Sequence, residues 1–372
     1  MAAQSLDLLP DGTSSSPRGR VVTLEEFIID IFTQIDQDGV ERPVDRPDEQ
    51  IGGGGSYAII GARLFLPSSR LGMMVDYTPS TLPQEAREQL QVYGKSMWVF
   101  RERHDGHPTS RSVNRYSKDL RVFEYLSPPR LLTPVDILET HWLDHPDDAA
   151  GGISAIHMIS GTERLEGFER DMQRIRDQVG TKWDPKIVWE PHQYDVFPSS
   201  IPLFRRITPQ IDILSPNHSE VISLLSLPDL SSSSQNDQKL QLESASQTLL
   251  SWKPRIGVVI RAGAMGACYL AKENDEVKWI PAYWSEGCEE PDWVDKVVDP
   301  TGAGNAFCGA MAAALSEGMG IEIAVMWGTV AASFVVQQHG LPSLTTVSGK
   351  EVWAGDEPAR RVRALQDRVS EM

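Results

Sequence analysis

Downstream of Pro134 the chain alternates short apolar runs with longer amphipathic ones: Ala155 to Ile159, Glu163 to Val179, Lys186 to Trp189, Ile211 to Leu214 and Ser219 to Leu225. That rhythm constrains the fold more than any other feature, because strands joined by helices lie parallel and need cover on both faces. Strand-like sequence resumes at Ile256 to Ile260. Ile321 to His339 is apolar nearly all round and is followed by Gly340 and Pro342, which predicts a buried helix with a stop behind it. Glu357 to Met372 predicts a charged amphipathic helix. The expected fold class is α/β, a mostly parallel sheet covered by helices on both faces.

Residues 299–307 read Asp-Pro-Thr-Gly-Ala-Gly-Asn-Ala-Phe, after a strand-like run Val294 to Val298 and before the Ala-rich segment Ala306 to Leu315. Strand, glycine turn and helix start make an anion site. The first amides of a helix lack partners, the helix dipole favours negative charge, and Gly302 and Gly304 admit a phosphoryl oxygen that a Cβ would repel. Asn305 ends the turn where a side chain could take a proton from an attacking hydroxyl. An amide orients such a proton but does not usefully accept it.

Four other segments carry polar chemistry in unusual settings. Asp30 closes an apolar strand-like run, where a carboxylate must cap something or hold a polar ligand. Gly52 to Gly55 precede Ser56-Tyr57 and a helix expected over Ser56 to Leu66, so they serve as a hinge, a floor for a ligand, or a flexible loop. Asn217 and Glu220 sit at a helix start, as caps or as groups ordering water around Mg²⁺. Arg261 to Gly266 (Arg-Ala-Gly-Ala-Met-Gly) is a strand end with a glycine turn, and Arg261 suits either a phosphate or a nearby carboxylate.

The nonapeptide closely resembles the D-T-x-G-A-G-D signature of the ribokinase-like (PfkB) family of sugar and nucleoside kinases, with Asn305 in place of that family's catalytic Asp. The chain also resembles the family's fungal maintenance-of-killer branch, around Gly52 to Arg63 and Asp299 to Asn305. The resemblance implies a phosphotransferase that moves the γ-phosphate of ATP, with Mg²⁺, to a hydroxyl of a small sugar-like or nucleoside-like substrate. It assigns the transferred phosphoryl to Gly302, Ala303, Gly304 and Asn305. Substrate goes to Asp30, Gly52, Gly53, Gly54 and Tyr57. ATP goes to Asn217, Arg261, Gly263, Gly266, Thr301, Ser333 and His339, and magnesium to Glu220 and Asn217 through water. Gly54 and Tyr57 stand where the ribokinase pattern has Lys and Asn, which makes plain ribose a poor substrate. Tyr57 either stacks on a substrate ring or packs as core, and Glu25, where many relatives have Gly, makes the floor bulkier and more acidic. A catalytically inactive nucleotide- or metabolite-binding scaffold of the same fold is the alternative that Asn305 suggests.

The resemblance further implies a small β-sheet lid, from segments at about 31–50, with a hairpin at Asp38-Gly39, and 95–125. Residues 1–19 are expected to be a disordered lead and 20–372 one domain. Residues 227–244, with a Ser run and a Gln/Asn/Asp mix, read as a low-complexity surface insertion. A net charge of −17 argues against nucleic-acid or anionic-membrane partners held by bulk electrostatics. A small-molecule substrate and a nucleotide are the expected partners, and a homodimer or protein partner is compatible with them. Cys268, Cys288 and Cys308 lack metal-ligand spacing and read as reduced thiols. No signal-peptide pattern or membrane span is expected, so a cytoplasmic location is. His141-Trp142-Leu143-Asp144-His145 lacks the Glu and third ligand of a zinc protease. There is no P-loop, and Phe307 breaks the dinucleotide-binding glycine pattern.

Overall fold

The computed structural model describes residues 19–36, 38, 40–43, 49–117, 120–143 and 152–372. Most of the expected lead, Gly39 of the expected hairpin, and Asp144 and His145 fall outside the described residues. In chain order the strands are β1 (Arg20–Thr23), β2 (Ile28–Ile35), β3 (Glu41–Pro43), β4 (Glu49–Gly52), β5 (Leu71–Tyr77), β6 (Trp98–Glu102), β7 (Arg111–Ser117), β8 (Leu120–Tyr125), β9 (Ile153–Ser160), β10 (Lys186–Pro191), β11 (Ile213–Leu214), β12 (Gly257–Arg261), β13 (Ala267–Ala271), β14 (Lys278–Ile280), β15 (Leu344–Val347) and β16 (Lys350–Trp353). The helices are α1 (Gly54–Arg63), α2 (Gln84–Val92), α3 (Thr162–Val179), α4 (Ile201–Ile207), α5 (His218–Leu225), α6 (Gln235–Leu250), α7 (Ala303–Ser316), α8 (Ile321–Val335) and α9 (Pro358–Ser370).

A large sheet runs in the order β14-β13-β12-β11-β10-β9-β1-β5-β6. It is parallel from β12 to β6, and β12, β13 and β14 finish it as an antiparallel edge. Strands buried on both faces explain why β9, β10 and β12 read as continuous apolar runs. Two apolar clusters mark the two faces. One joins α1, α7 and α8 to the sheet through residues such as Ile60, Met311 and Trp327. The other joins α3, α4 and α6 through Phe168, Phe204 and Leu249.

A second sheet holds β3-β2-β7-β8, with β4 also paired to β2. It begins at Ile28, and its later part begins at Arg111. Trp98 to Phe100, expected in the lid block of 95–125, belong instead to the large sheet, since β6 pairs in parallel with β5, and Met97 ends the 3-10 turn that leads into it. Met97 is fully buried there, and Trp98 donates its indole N–H to the Leu90 carbonyl at 2.8 Å. Apolar burial at the end of α2 outweighs sequence proximity to β7.

Two further expectations are corrected. Residues 235–244 of the supposed low-complexity region belong to α6, which is capped by Ser234, whose side chain accepts from the Asp237 amide. Leu242, Ala245 and Leu249 bury one face while the Gln, Asn and Asp residues face outward, so its polar composition reflects a solvated helix face. Val294 to Val298 form no strand: Trp293–Lys296 make a single 3-10 turn, and Val294, Val297 and Val298 are exposed. Among the described residues no strand pairs with that segment, and the amides of Val298 and Asp299 both donate to the Val336 carbonyl.

Candidate active site

The packing of α7 on α1 sets the site. A Cβ on Gly61 would lie 2.1 Å from the Ala306 carbonyl oxygen, and one on Gly309 would lie 1.8 Å from that of Ala58. Small residues let the two backbones touch, which is why α7 is so rich in Ala. The contact docks the start of α7 beside the Gly52–Gly55 run, on which three polar groups converge. A Cβ on Gly52 would overlap the Asp30 carboxylate at 1.8 Å. One on Gly54 would stand 3.3 Å from Glu25 Cγ and 3.4 Å from Asn305 Nδ2. The run is a floor against which the substrate-side carboxylates and the anion turn are pressed together.

Within the turn, Thr301 donates its amide to Asp299 Oδ1 at 3.0 Å, Ala303 to the Pro300 carbonyl at 3.2 Å and Ala306 to that of Gly302 at 2.9 Å. Gly304 and Asn305 lie between these bonds, in the first helical turn where amides have no intrahelical acceptor, and both line the adjoining cavity. Gly302 has φ 78°, and a Cβ there would meet the Tyr57 ring at 2.2 Å. The Tyr57 ring is buried and supports the turn, and it also lines the cavity.

Arg261 lies under Gly304, whose Cβ would overlap Arg261 Nη1 at 2.2 Å. Its guanidinium is buried, with Glu190 Oε1 at 2.7 Å, Glu220 Oε2 at 3.6 Å and a hydrogen bond to the Ser215 carbonyl at 3.0 Å. Burial works against ionising Glu190, but Arg261, His157 at 3.6 Å and Asn305 outweigh it and hold its carboxyl well below the usual range. Asn305 donates Nδ2 to Glu190 Oε2 at 3.0 Å. The amide that replaces a carboxylate is thus oriented by a buried carboxylate one hydrogen bond away. Glu220 is pushed up to about 7 by burial and by Glu190, with Arg261 opposing.

Asn217 and Glu220 form a reciprocal helix cap: Glu220 accepts from the Asn217 amide and side chain at 2.7 Å each, and Asn217 Oδ1 accepts from the Glu220 amide at 2.9 Å. Each Glu220 oxygen accepts one of these bonds.

A continuous cavity of about 1020 Å³ joins these groups. At one end it is lined by Glu25, Glu26, Asp30, Gly53, Gly54 and Tyr57; at the centre by Glu190, Asn217, Glu220, Arg261 and residues 300–305; at the other end by Gly263, Gly266, Trp284, Ala332, Ser333 and Val336. Gly52 is not on the wall but packs behind Asp30. His339, expected in the nucleotide slot, is also off the wall; its Nδ1 lies 3.2 Å from Asp299 Oδ2, at the entry to the turn. The helix α8 ends at Val335, which carries His339 past the slot. Sequence reasoning missed Glu190, Glu26, Arg164 and Tyr125. A Glu ending the apolar run Ile187-Val188-Trp189 was the one available signal.

The pfkB family carbohydrate kinase model matches residues 170–346. An uncharacterised protein of Schizosaccharomyces pombe is 33% identical over 361 residues, covering 92% of this chain and 91% of its own length. Protein MAK32 of Saccharomyces cerevisiae is 28% identical over 322 residues, with 82% of each chain covered. The chain belongs to the pfkB carbohydrate kinase family, in its fungal MAK branch. Among solved structures, this family member superposes on ribokinase from Giardia lamblia with a TM-score of 0.62 at 16% identity, covering 87% of this chain and 96% of that one. Ribokinase from Thermotoga maritima gives 0.58 at 18%, covering 94% and 99%. Escherichia coli phosphofructokinase-2, solved with substrates and products, gives 0.58 at 16%, again covering 94% and 99%. At such identities the likeness establishes the ribokinase-like fold, a large mixed sheet flanked by helices with a separate small sheet. No helix among the described residues is long and apolar enough to cross a membrane.

Proposed function

We propose that this pfkB family member is a phosphotransferase that moves the γ-phosphoryl group of ATP, bound with Mg²⁺, to a hydroxyl of a small sugar-like or nucleoside-like molecule. One observation carries the reading: a single cavity presents buried carboxylates at one end and, at its centre, the Gly302–Asn305 helix start with Arg261 packed beneath it. Phosphoryl transfer asks a protein chiefly for alignment and for charge placed where the migrating group carries it. Asp30 is suited to accept from substrate hydroxyls, the turn amides and Arg261 to face the phosphoryl oxygens, and Asn305 to orient the attacking hydroxyl. The apolar end, with Gly263, Gly266 and Ser333, suits a nucleobase. Magnesium, held through water by Glu220 and Asn217, would supply charge neutralisation on the phosphates. We place the protein in the cytoplasm, acting on a small molecule without nucleic-acid or membrane partners.

A proton-accepting side chain at position 305 contributes about 10²- to 10⁴-fold in such reactions, so turnover is expected to be slow. The bond from Asn305 to Glu190 also favours a second reading, a nucleotide- or metabolite-binding scaffold without turnover. Calorimetry with ATP-Mg²⁺, paired with ³¹P detection of phosphorylated product over a panel of polyols and nucleosides, separates the two. Binding with product supports the kinase, binding without product supports the scaffold, and absence of nucleotide binding removes both.

A further inference from the structure

The acceptor end of the cavity holds more carboxylate than an uncharged polyol requires. Glu25, Glu26 and Asp30 all line it, and all are buried. Ser112 donates its hydroxyl to Asp30. Arg164 donates to Glu25 Oε2 at 3.0 Å and also to the carbonyls of Leu24, Leu132 and Ile159, which ties the guanidinium into the wall. Glu26 Oε1 accepts from the Tyr125 hydroxyl at 2.8 Å, yet Glu26 Oε2 is buried with no hydrogen-bond partner, in a residue only 5% exposed. A carboxylate oxygen left in that state is costly unless a ligand completes it.

The charges around Glu26 do not complete it. Burial and the neighbouring Glu25 push Glu26 up to about 8, with the Tyr125 hydrogen bond, Arg164 and Arg103 opposing too weakly. Arg103 is itself bound to Asp105 and Ser110. His192, on the same wall, is held below its usual value mainly by burial. Among the described residues the group of three or more metal-ligating side chains whose ligand atoms converge is His157, Glu190 and Cys308, beside which Arg261 already stands, and it does not include Glu25 or Glu26. Phe123 and Tyr125 line this end as well, and their ring faces attract a cation.

We propose that the acceptor is a small polyol bearing a protonated amine, whose ammonium sits against Glu26 Oε2 and Glu25 while its hydroxyls reach toward Asp30 and the anion turn. The inference rests on the acceptor reading above and adds the charge of the ligand. An ammonium offers three donors and no acceptor, which matches an orphaned carboxylate oxygen with acidic neighbours. Seating it ionises Glu26, so binding releases a proton at neutral pH.

The test is calorimetry on the full chain with matched probes: glucosamine against glucose, galactosamine against galactose, and serinol against glycerol, in buffers of differing ionisation enthalpy. At least one amine is expected to bind about tenfold or more tightly than its neutral partner, with proton release. Glu26→Gln, which keeps an acceptor for Tyr125, should erase that preference. Equal or tighter binding of the neutral partners, or no binding by any of the three amines at millimolar concentration, overturns the proposal. The pairwise comparison in the unmodified chain stands even if the variant folds poorly. It reads binding alone, whereas failure of the kinase reading would show in the nucleotide and product measurements.

Discussion

Restoring a carboxylate at position 305 is the obvious way to raise activity, and Glu190 decides the pH range in which that carboxylate works. Asn305 Nδ2 stands 3.0 Å from Glu190 Oε2. In Asn305→Asp that hydrogen bond becomes a contact between two carboxylates, a repulsion of about 5 kcal/mol at an effective dielectric of 20, or roughly four pKa units. Arg261, 2.7 Å from Glu190, returns part of this. We expect the pair to share one proton with an apparent pKa raised by roughly two to three units, as in other close carboxyl pairs. Residue 305 would then titrate at about 6 to 7, working as a base at neutral and alkaline pH and losing that role as pH falls below about 6. The double variant Asn305→Asp/Glu190→Gln keeps the net charge, lets the new amide at position 190 donate to the new carboxylate at position 305, and leaves Arg261 near a carboxylate. It should release phosphate from ATP-Mg²⁺ faster than the parent across neutral pH and faster than the single variant below about pH 6, with a profile flat down to the ordinary carboxylate range. The assay is phosphate release from about pH 5 to 9, with melting temperature followed in parallel. Identical pH profiles and melting temperatures for the single and double variants would refute the argument.

Gly309→Ala places a Cβ 1.8 Å from the Ala58 carbonyl and should cost about 1–3 kcal/mol by forcing α1 and α7 apart; denaturant unfolding reads the loss, and an unchanged midpoint would contradict the packing. Arg261→Ala strands Glu190 and Glu220 and should destabilise the fold by about 3–5 kcal/mol, an effect that Glu190→Gln in the same chain should partly relieve. Because the folded-state value of Glu26 lies above its unfolded one, the folded chain binds the extra proton between about 4.5 and about 8, so stability falls as pH rises through that window. Glu26→Gln should therefore raise the melting temperature at pH 8 and leave it nearly unchanged at pH 4.5; the reverse order would exclude a raised Glu26. Gly302→Ala should weaken ATP binding by calorimetry, since φ 78° and the Tyr57 ring both exclude a Cβ there.

Local chemistry made much of this protein legible before any coordinates. Periodicity after Pro134 specified a parallel sheet covered on both faces, because strand and helix repeats leave different apolar patterns in a sequence. The glycine spacing at 302–304 marked a helix start open to anions, since that geometry is built by consecutive residues. The same local reasoning failed where long-range partners decide. Val294 to Val298 have strand composition but begin in a 3-10 turn and pair with no strand among the described residues, while Trp98 to Phe100 left the lid to pair with β5. Only the folded chain could bring Glu190 to Asn305, Arg261 beneath Gly304, and an orphaned Glu26 oxygen to the cavity wall, for each pair is separated by scores of residues in the chain or is completed by a third element. Sequence determined the alternation of strands and helices and where a glycine turn opens a helix; tertiary packing decided the charge around that turn, because electrostatic environment depends on distance in space and on burial.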